Sequence, residues 1–196
     1  MSQENRNIAA IVRESRTCRR YKGAWLEPSV LESLMETARY TPSAANRQVL
    51  RLSAVVEPEA CSALYPALRW AGYFNGSDER HPRWDGPCEE ERPRGYIIIW
   101  HNISAGPMSE TDMGIVAQTI NLTARADMGL ALCMIGAFDA EAVKRTVPHP
   151  EDWTPRLVLA LGQPAETSVV EDVDEGADLR YWRDEQGGIH VPKVKR

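Results

Sequence analysis

The sequence predicts one α/β domain, with helices and strands intermixed around a buried sheet and an extended arm at the C-terminal end. Two continuous apolar runs, Tyr96-Ile97-Ile98-Ile99-Trp100 and Leu130 to Gly136, have the character of strands buried on both faces. Two longer segments, Pro28 to Tyr40 and Asp112 to Met128, repeat their apolar residues with the period of a helix. A chain of 196 residues, 43% of them hydrophobic, carries enough apolar surface for one good core.

Taken in order, Ile8 to about Glu14 reads as a first helix, and Ser15 to Tyr21 then gathers Arg16, Arg19 and Arg20 around Thr17. Glu27-Pro28 opens the second helix with proline in its first turn, and Val30, Leu31, Leu34, Met35 and Ala38 form its apolar stripe. Thr41 to Gln48 is a loop of small and amide residues, Leu50 to Val56 a strand, and Pro58 to about Trp70 a third helix. Gly72, Gly76, Pro82, Gly86, Pro87 and Pro93 puncture residues 71–94, which read as a lid or insert.

After the strand at Tyr96, the helix from Asp112 carries Ile115, Val116, Thr119, Ile120, Leu122 and Thr123, and Gly129 stops it. Leu130 to Gly136 follows as a strand, Asp139 caps a helix running through Val147, and Pro155 to Leu161 makes another strand. Residues 165–196 form the arm, acidic from Glu166 to Asp178, with Gly187-Gly188 between aromatic and β-branched residues as a hairpin turn.

Composition excludes several classes. A formal net charge of -5 gives no general attraction to nucleic acid. The longest mostly apolar run, Leu130 to Phe138, falls well short of the roughly 20 residues that span a bilayer. Met1 to Asn5 is polar with no apolar run behind it, so no signal peptide is expected and the cytoplasm is the expected location. There, Cys18, Cys61, Cys88 and Cys133, which show no Cys-x-x-Cys spacing, are expected as reduced thiols. His81, His101, His149 and His190 lack ligand spacing, so no metal site is expected. Neither a Gly-rich nucleotide fingerprint nor a hydrolase elbow occurs.

Charge distribution points to an anion. Basic residues crowd between Arg13 and Lys22 and again at Lys193, Lys195 and Arg196, and two basic ends that converge would do so on a negative ligand. A phosphate monoester carries roughly two negative charges and three acceptor oxygens. Arginine offers it planar paired donors and threonine a hydroxyl. An arginine-rich helix end is also common as a solvated surface, so this stretch alone leaves both readings open.

Four stretches together resemble the nitroreductase family of flavin mononucleotide (FMN)-dependent oxidoreductases. They are Ser15-Arg16-Thr17-Cys18-Arg19-Arg20-Tyr21, Thr41 to Gln48, Gly129 to Gly136, and Leu161-Gly162-Gln163-Pro164-Ala165-Glu166. One branch is similar also in Trp70-Ala71-Gly72-Tyr73, Glu91 to Ile97, Tyr181-Trp182-Arg183-Asp184, and His190 to Lys193. The resemblance implies an α+β fold of three layers, helices flanking a mainly antiparallel sheet, as one domain over residues 1–196 in an intertwined homodimer.

That resemblance also implies the site. Arg16, Thr17 and Arg19 would surround the flavin's phosphate, ribityl chain and pyrimidine edge, while Pro42, Ser43, Asn46 and Gln48 approach from the partner subunit. The backbone around Met134, Ile135 and Gly136 would lie by the central ring, where an N–H can donate to the reactive nitrogen, and Lys193 and Lys195 would close on the phosphate. NADH or NADPH would supply hydride and a small electron-poor acceptor, a nitroaromatic or quinone, would receive the reducing equivalents. No side chain is expected as a catalytic nucleophile, since the cofactor carries the chemistry. Ser15, Ala131, Leu132 and Val49-Leu50 depart from the family pattern. Ser15, Ala131 and Leu132 leave open a flavin store or redox sensor, and the lid at 71–94, which sets the substrate, leaves open other flavin chemistry such as reductive dehalogenation or cofactor remodelling.

Overall fold

A computed structural model describes residues 7–102, 104 and 106–195; the leader reading at Met1 to Asn5 and the basic residue Arg196 lie outside them. Helix α1 (Ile8–Glu14) starts at Asn7, whose side chain accepts the Ala9 N–H, and gives way to the short strand β1 (Tyr21–Lys22). Helix α2 (Pro28–Ala38) has proline in its first turn and buries Leu31, Leu34 and Ala38, one face at i, i+3 and i+7 spacing. Strand β2 (Leu50–Val55) leads to α3 (Pro58–Leu64).

The third helix stops earlier than Trp70, and residues Tyr65–Ala67 continue as a 3-10 turn. Pro66 accounts for this, since it has no N–H to donate and its ring crowds the preceding turn. Then come β3 (Gly95–Asn102), α4 (Ser109–Met128), β4 (Ala131–Ile135), α5 (Ala140–Thr146) and β5 (Trp153–Pro164). Gly129 ends α4 at φ 65, the left-handed conformation that glycine adopts without strain. The Asp139 side chain caps α5 by accepting the Ala142 N–H at 3.0 Å.

Strand β5 is the spine of the sheet. It pairs antiparallel with β3 (Gly95 opposite Leu161), with β4 (Leu132 opposite Leu161) and, near its end, with β1 (Tyr21 opposite Pro164). β2 pairs antiparallel along the outer edge of β3. Alternation along β3 divides the interior into two cores. Tyr96, Ile98 and Trp100 pack with Cys61, Leu64 and Val143 of α3 and α5, whereas Ile97 and Ile99 pack with Leu31, Leu34, Ala117 and Ile120 of α2 and α4. The result is a helix–sheet–helix sandwich of α+β class. Each fully buried isoleucine of β3 contributes roughly 1.5–3 kcal/mol by leaving water.

The arm holds structure that its acidic composition concealed. Strand β6 (Ser168–Val173) pairs in parallel with β8 (Ile189–Val194), and β7 (Trp182–Arg183) forms the expected hairpin with β8. His190 pins these strands: Nδ1 lies 2.6 Å from Glu171 Oε1, Nε2 lies 3.0 Å from Asp184 Oδ2, and the ring stacks on Trp182 at 4.0 Å. Hydrogen bonding to Asp184, and next to Glu171, raises the His190 pKa above its ordinary value.

Candidate functional site

The site starts where α1 ends. Chain beyond Ser15 runs along β4, held by the Cys18 N–H donating to the Leu132 carbonyl at 3.1 Å. Tyr21 fixes the far end, fully buried, its one hydroxyl proton shared between the backbone carbonyls of Cys18 and Ala160, both within hydrogen-bond distance. Its ring lies against Gly162 so closely that a Cβ there would meet Tyr21 Cδ1 at 2.9 Å, which is why that position is glycine. These ties bring Arg16 and Arg19 to the edge of β4.

Between them, β4 and the arm, lies a cavity of about 260 Å³. Arg16, Arg19 and Lys193 line it, and none of its lining residues is a carboxylate. Thr17, Gln118 and Asn121 add polar groups, while Leu132, Met134, Ile189 and Val191 supply apolar surface. Ser15 Oγ and Arg16 Nε are buried without a hydrogen-bond partner among the described residues. Buried donors of this kind cost free energy unless a ligand or solvent satisfies them.

Arg19 is braced from two sides. Its backbone N–H donates to one oxygen of Glu166, and the other oxygen accepts from Arg183 Nη2 at 2.9 Å. Its guanidinium donates to Tyr181 Oη at 2.8 Å and lies 4.5 Å from that ring's centroid. Tyr181 was not among the residues drawn from the sequence for this site, nor were Gln118 and Asn121. The latter pair carries a readable signal, two amide side chains three apart on one face of α4.

The structure gathers five of the sequence-predicted residues in this cavity: Arg16, Thr17, Arg19, Met134 and Lys193. Ile135 turns its side chain into the α3–α5 core and Gly136 is exposed beyond the end of β4, so only their backbone, the part expected to meet the ligand, is offered to it. Lys195 lies outside the cavity, its Nζ 3.0 Å from Asp174 Oδ1.

Pro42, Ser43 and Gln48 line a separate cavity of about 360 Å³ between α2, β2 and α4. Asn46 is exposed beside it, accepting from Gln48 Nε2 at 3.3 Å. This loop holds three non-glycine residues at positive φ, Ala45, Asn46 and Gln48, a conformation that costs energy. Asp112 on α4, 3% exposed, secures it by accepting the Ala44 N–H at 2.9 Å. Ser43 Oγ accepts the Gln48 N–H at 3.2 Å.

Desolvation pushes the Cys18 and Cys61 thiols up to about 12 and Cys133 to about 11, so these buried groups stay protonated and inert as nucleophiles. All four cysteines are free. Among the described residues, no group of three or more His, Cys, Asp or Glu is placed to hold a metal, and no helix is long and apolar enough to cross a membrane.

The helix–sheet–helix sandwich, with a cationic cavity whose lining holds no carboxylate beside its sheet, places the chain in the α+β class. Within that class the chain belongs to the nitroreductase family, whose model, described as Nitroreductase family, matches residues 12–163. Solved structures share the fold at low identity. A nitroreductase with bound FMN from Desulfitobacterium hafniense DCB-2 is 21% identical with a TM-score of 0.63, covering 84% of this chain and 90% of that one. A nitroreductase family protein from Clostridium difficile 630 is 20% identical with a TM-score of 0.61, covering 82% of this chain and 86% of that one. A variant FMN- and NADPH-dependent nitroreductase from Sphigopyxis sp. strain HMH is 17% identical with a TM-score of 0.62, covering 82% and 89%. No curated protein matches the chain.

Proposed function

We propose that this chain is an FMN-dependent oxidoreductase that works as a soluble cytoplasmic homodimer. It would draw hydride from NADH or NADPH and pass reducing equivalents to an electron-poor acceptor such as a nitroaromatic or quinone. The observation that carries the reading is the cavity with three cations and no carboxylate in its lining, beside Ser15 Oγ and Arg16 Nε, buried without a hydrogen-bond partner among the described residues. That donor set fits a phosphate-bearing cofactor, and the FMN in the Desulfitobacterium hafniense structure supports the choice of flavin. The NADPH dependence of the Sphigopyxis enzyme supports a nicotinamide donor.

In this reading Arg16, Ser15 and Lys193 hold the phosphate with charge-assisted hydrogen bonds. Arg19 lies by the pyrimidine edge, where its charge stabilises negative charge on the ligand. Leu132 and Met134 form the apolar wall beside the ring. When bound, the flavin supplies the hydride and electron transfer. The chain's residues orient it and exclude water. Pro42, Ser43, Asn46 and Gln48, which lie outside this cavity within one chain, would complete it from the partner subunit, with residues 71–94 as the lid and 165–196 as the arm of a single domain.

The test is turnover by FMN-loaded protein, followed as NADH or NADPH oxidation with nitroaromatic and quinone acceptors. Flavin-dependent consumption of nicotinamide that rises with acceptor concentration is the expected result. Absence of acceptor-dependent consumption with both acceptor classes would contradict it.

A further inference from the structure

We infer that Tyr181 is a positioning residue that couples the 71–94 segment to Arg19, and through Arg19 to the charge state of the bound flavin. The inference rests on the FMN reading of the cavity. Three observations carry it. Tyr181 Oη accepts Arg19 Nη2 at 2.8 Å and the Tyr73 backbone N–H at 3.3 Å, so one oxygen joins the cavity's cation to the backbone of the 71–94 segment. The Tyr181 ring is held in place by Tyr73, centroids 4.9 Å apart, and by Phe74, edge-on at 5.6 Å. Gly72 stands so close that a Cβ would lie 1.8 Å from Tyr181 Oη, and it adopts φ +55.

The chemistry follows from what else Arg19 lacks. Among the described residues its guanidinium forms no ion pair with a carboxylate, since Glu166 is engaged by its backbone N–H and by Arg183 instead. A free guanidinium on a flexible stem points where its neutral hydrogen bonds direct it. Tyr181 supplies that direction without neutralising the charge, so the cation remains available to a ligand. A ligand that gains negative charge on reduction is favoured by a cation held at that edge. Tyr181 lines the same cavity, so loss of its hydroxyl removes the restraint while its ring keeps the wall.

The experiment measures the midpoint potential of FMN bound to the full-length protein by equilibrium redox titration, for the wild type, Tyr181→Phe, Arg19→Gln and the double variant. At a fixed poise, Tyr181→Phe should lower the ratio of reduced to oxidised flavin about tenfold, about 30 mV for a two-electron couple. In the Arg19→Gln background the same change should have no further effect, because the tyrosine acts through the arginine. An unchanged potential in Tyr181→Phe, or equal shifts in both backgrounds, would overturn the inference while leaving flavin binding intact. Failure of the wild type to bind FMN would overturn the reading of the cavity itself, and with it this inference.

Discussion

Replacing Glu166 by alanine removes a carboxylate whose side chain is 2% exposed and which serves two donors, the Arg19 backbone N–H and Arg183 Nη2. Arg183, 16% exposed, would keep its hydrogen bond to the Gly187 carbonyl and its place near Phe74 and Trp84 but lose its only countercharge among the described residues. Breaking one side of a buried pair costs about 3–5 kcal/mol, and the partial exposure of Arg183 places this case at about 3. With a urea dependence of about 2 kcal/mol/M, the unfolding midpoint should fall by about 1.5 M. The assay is urea unfolding followed by tryptophan fluorescence. Glu166→Ala with Arg183→Met should recover most of the loss, since the uncompensated charge goes with the arginine. A midpoint change below about 0.3 M in the single variant, or no recovery in the double, would refute the assignment of Glu166 as the buried anchor.

Three further outcomes are expected. Gly162→Ala should cost about 1–3 kcal/mol in the same assay, because its Cβ would press on the fully buried ring of Tyr21. Arg16→Ala with Lys193→Ala should weaken FMN binding by about 1.5–3 kcal/mol per lost charge-assisted contact, read by fluorescence titration; unchanged affinity would remove both from the phosphate site. Asp184 and then Glu171 raise the His190 pKa above its ordinary 6.5, so the stabilisation is full below that value and is lost as pH rises through the higher folded value. Stability measured across that range should lose this step in His190→Gln, and an identical pH profile in the variant would show that the pin contributes nothing.

Much of the fold was legible because local signals agreed with it. Gly129 stops α4, Asp139 caps α5, and the apolar runs at Tyr96 and Leu130 are strands, the first buried throughout and the second exposing Met134 to the cavity. Strand β6 was hidden, since Ser168–Val173 exposes most of its residues and exists through pairing with β8, some twenty residues away in sequence. The shortened third helix was a matter of one residue, Pro66. At the site, charge density and the family motifs singled out Arg16, Arg19 and Lys193. Tyr181 stood in a motif stretch without a role, because that role depends on the long-range approach of Arg19 and Tyr73, which no local pattern encodes. Lys195 shows the opposite limit: a matching tail residue finds a nearer carboxylate at Asp174.

The most direct test of the account mixes FMN-loaded protein with NADH and, separately, NADPH in the absence of oxygen while the yellow flavin absorption is followed. The account predicts that at least one nicotinamide bleaches the flavin rapidly. Protein that stays yellow with both, or that retains no flavin to begin with, would contradict it.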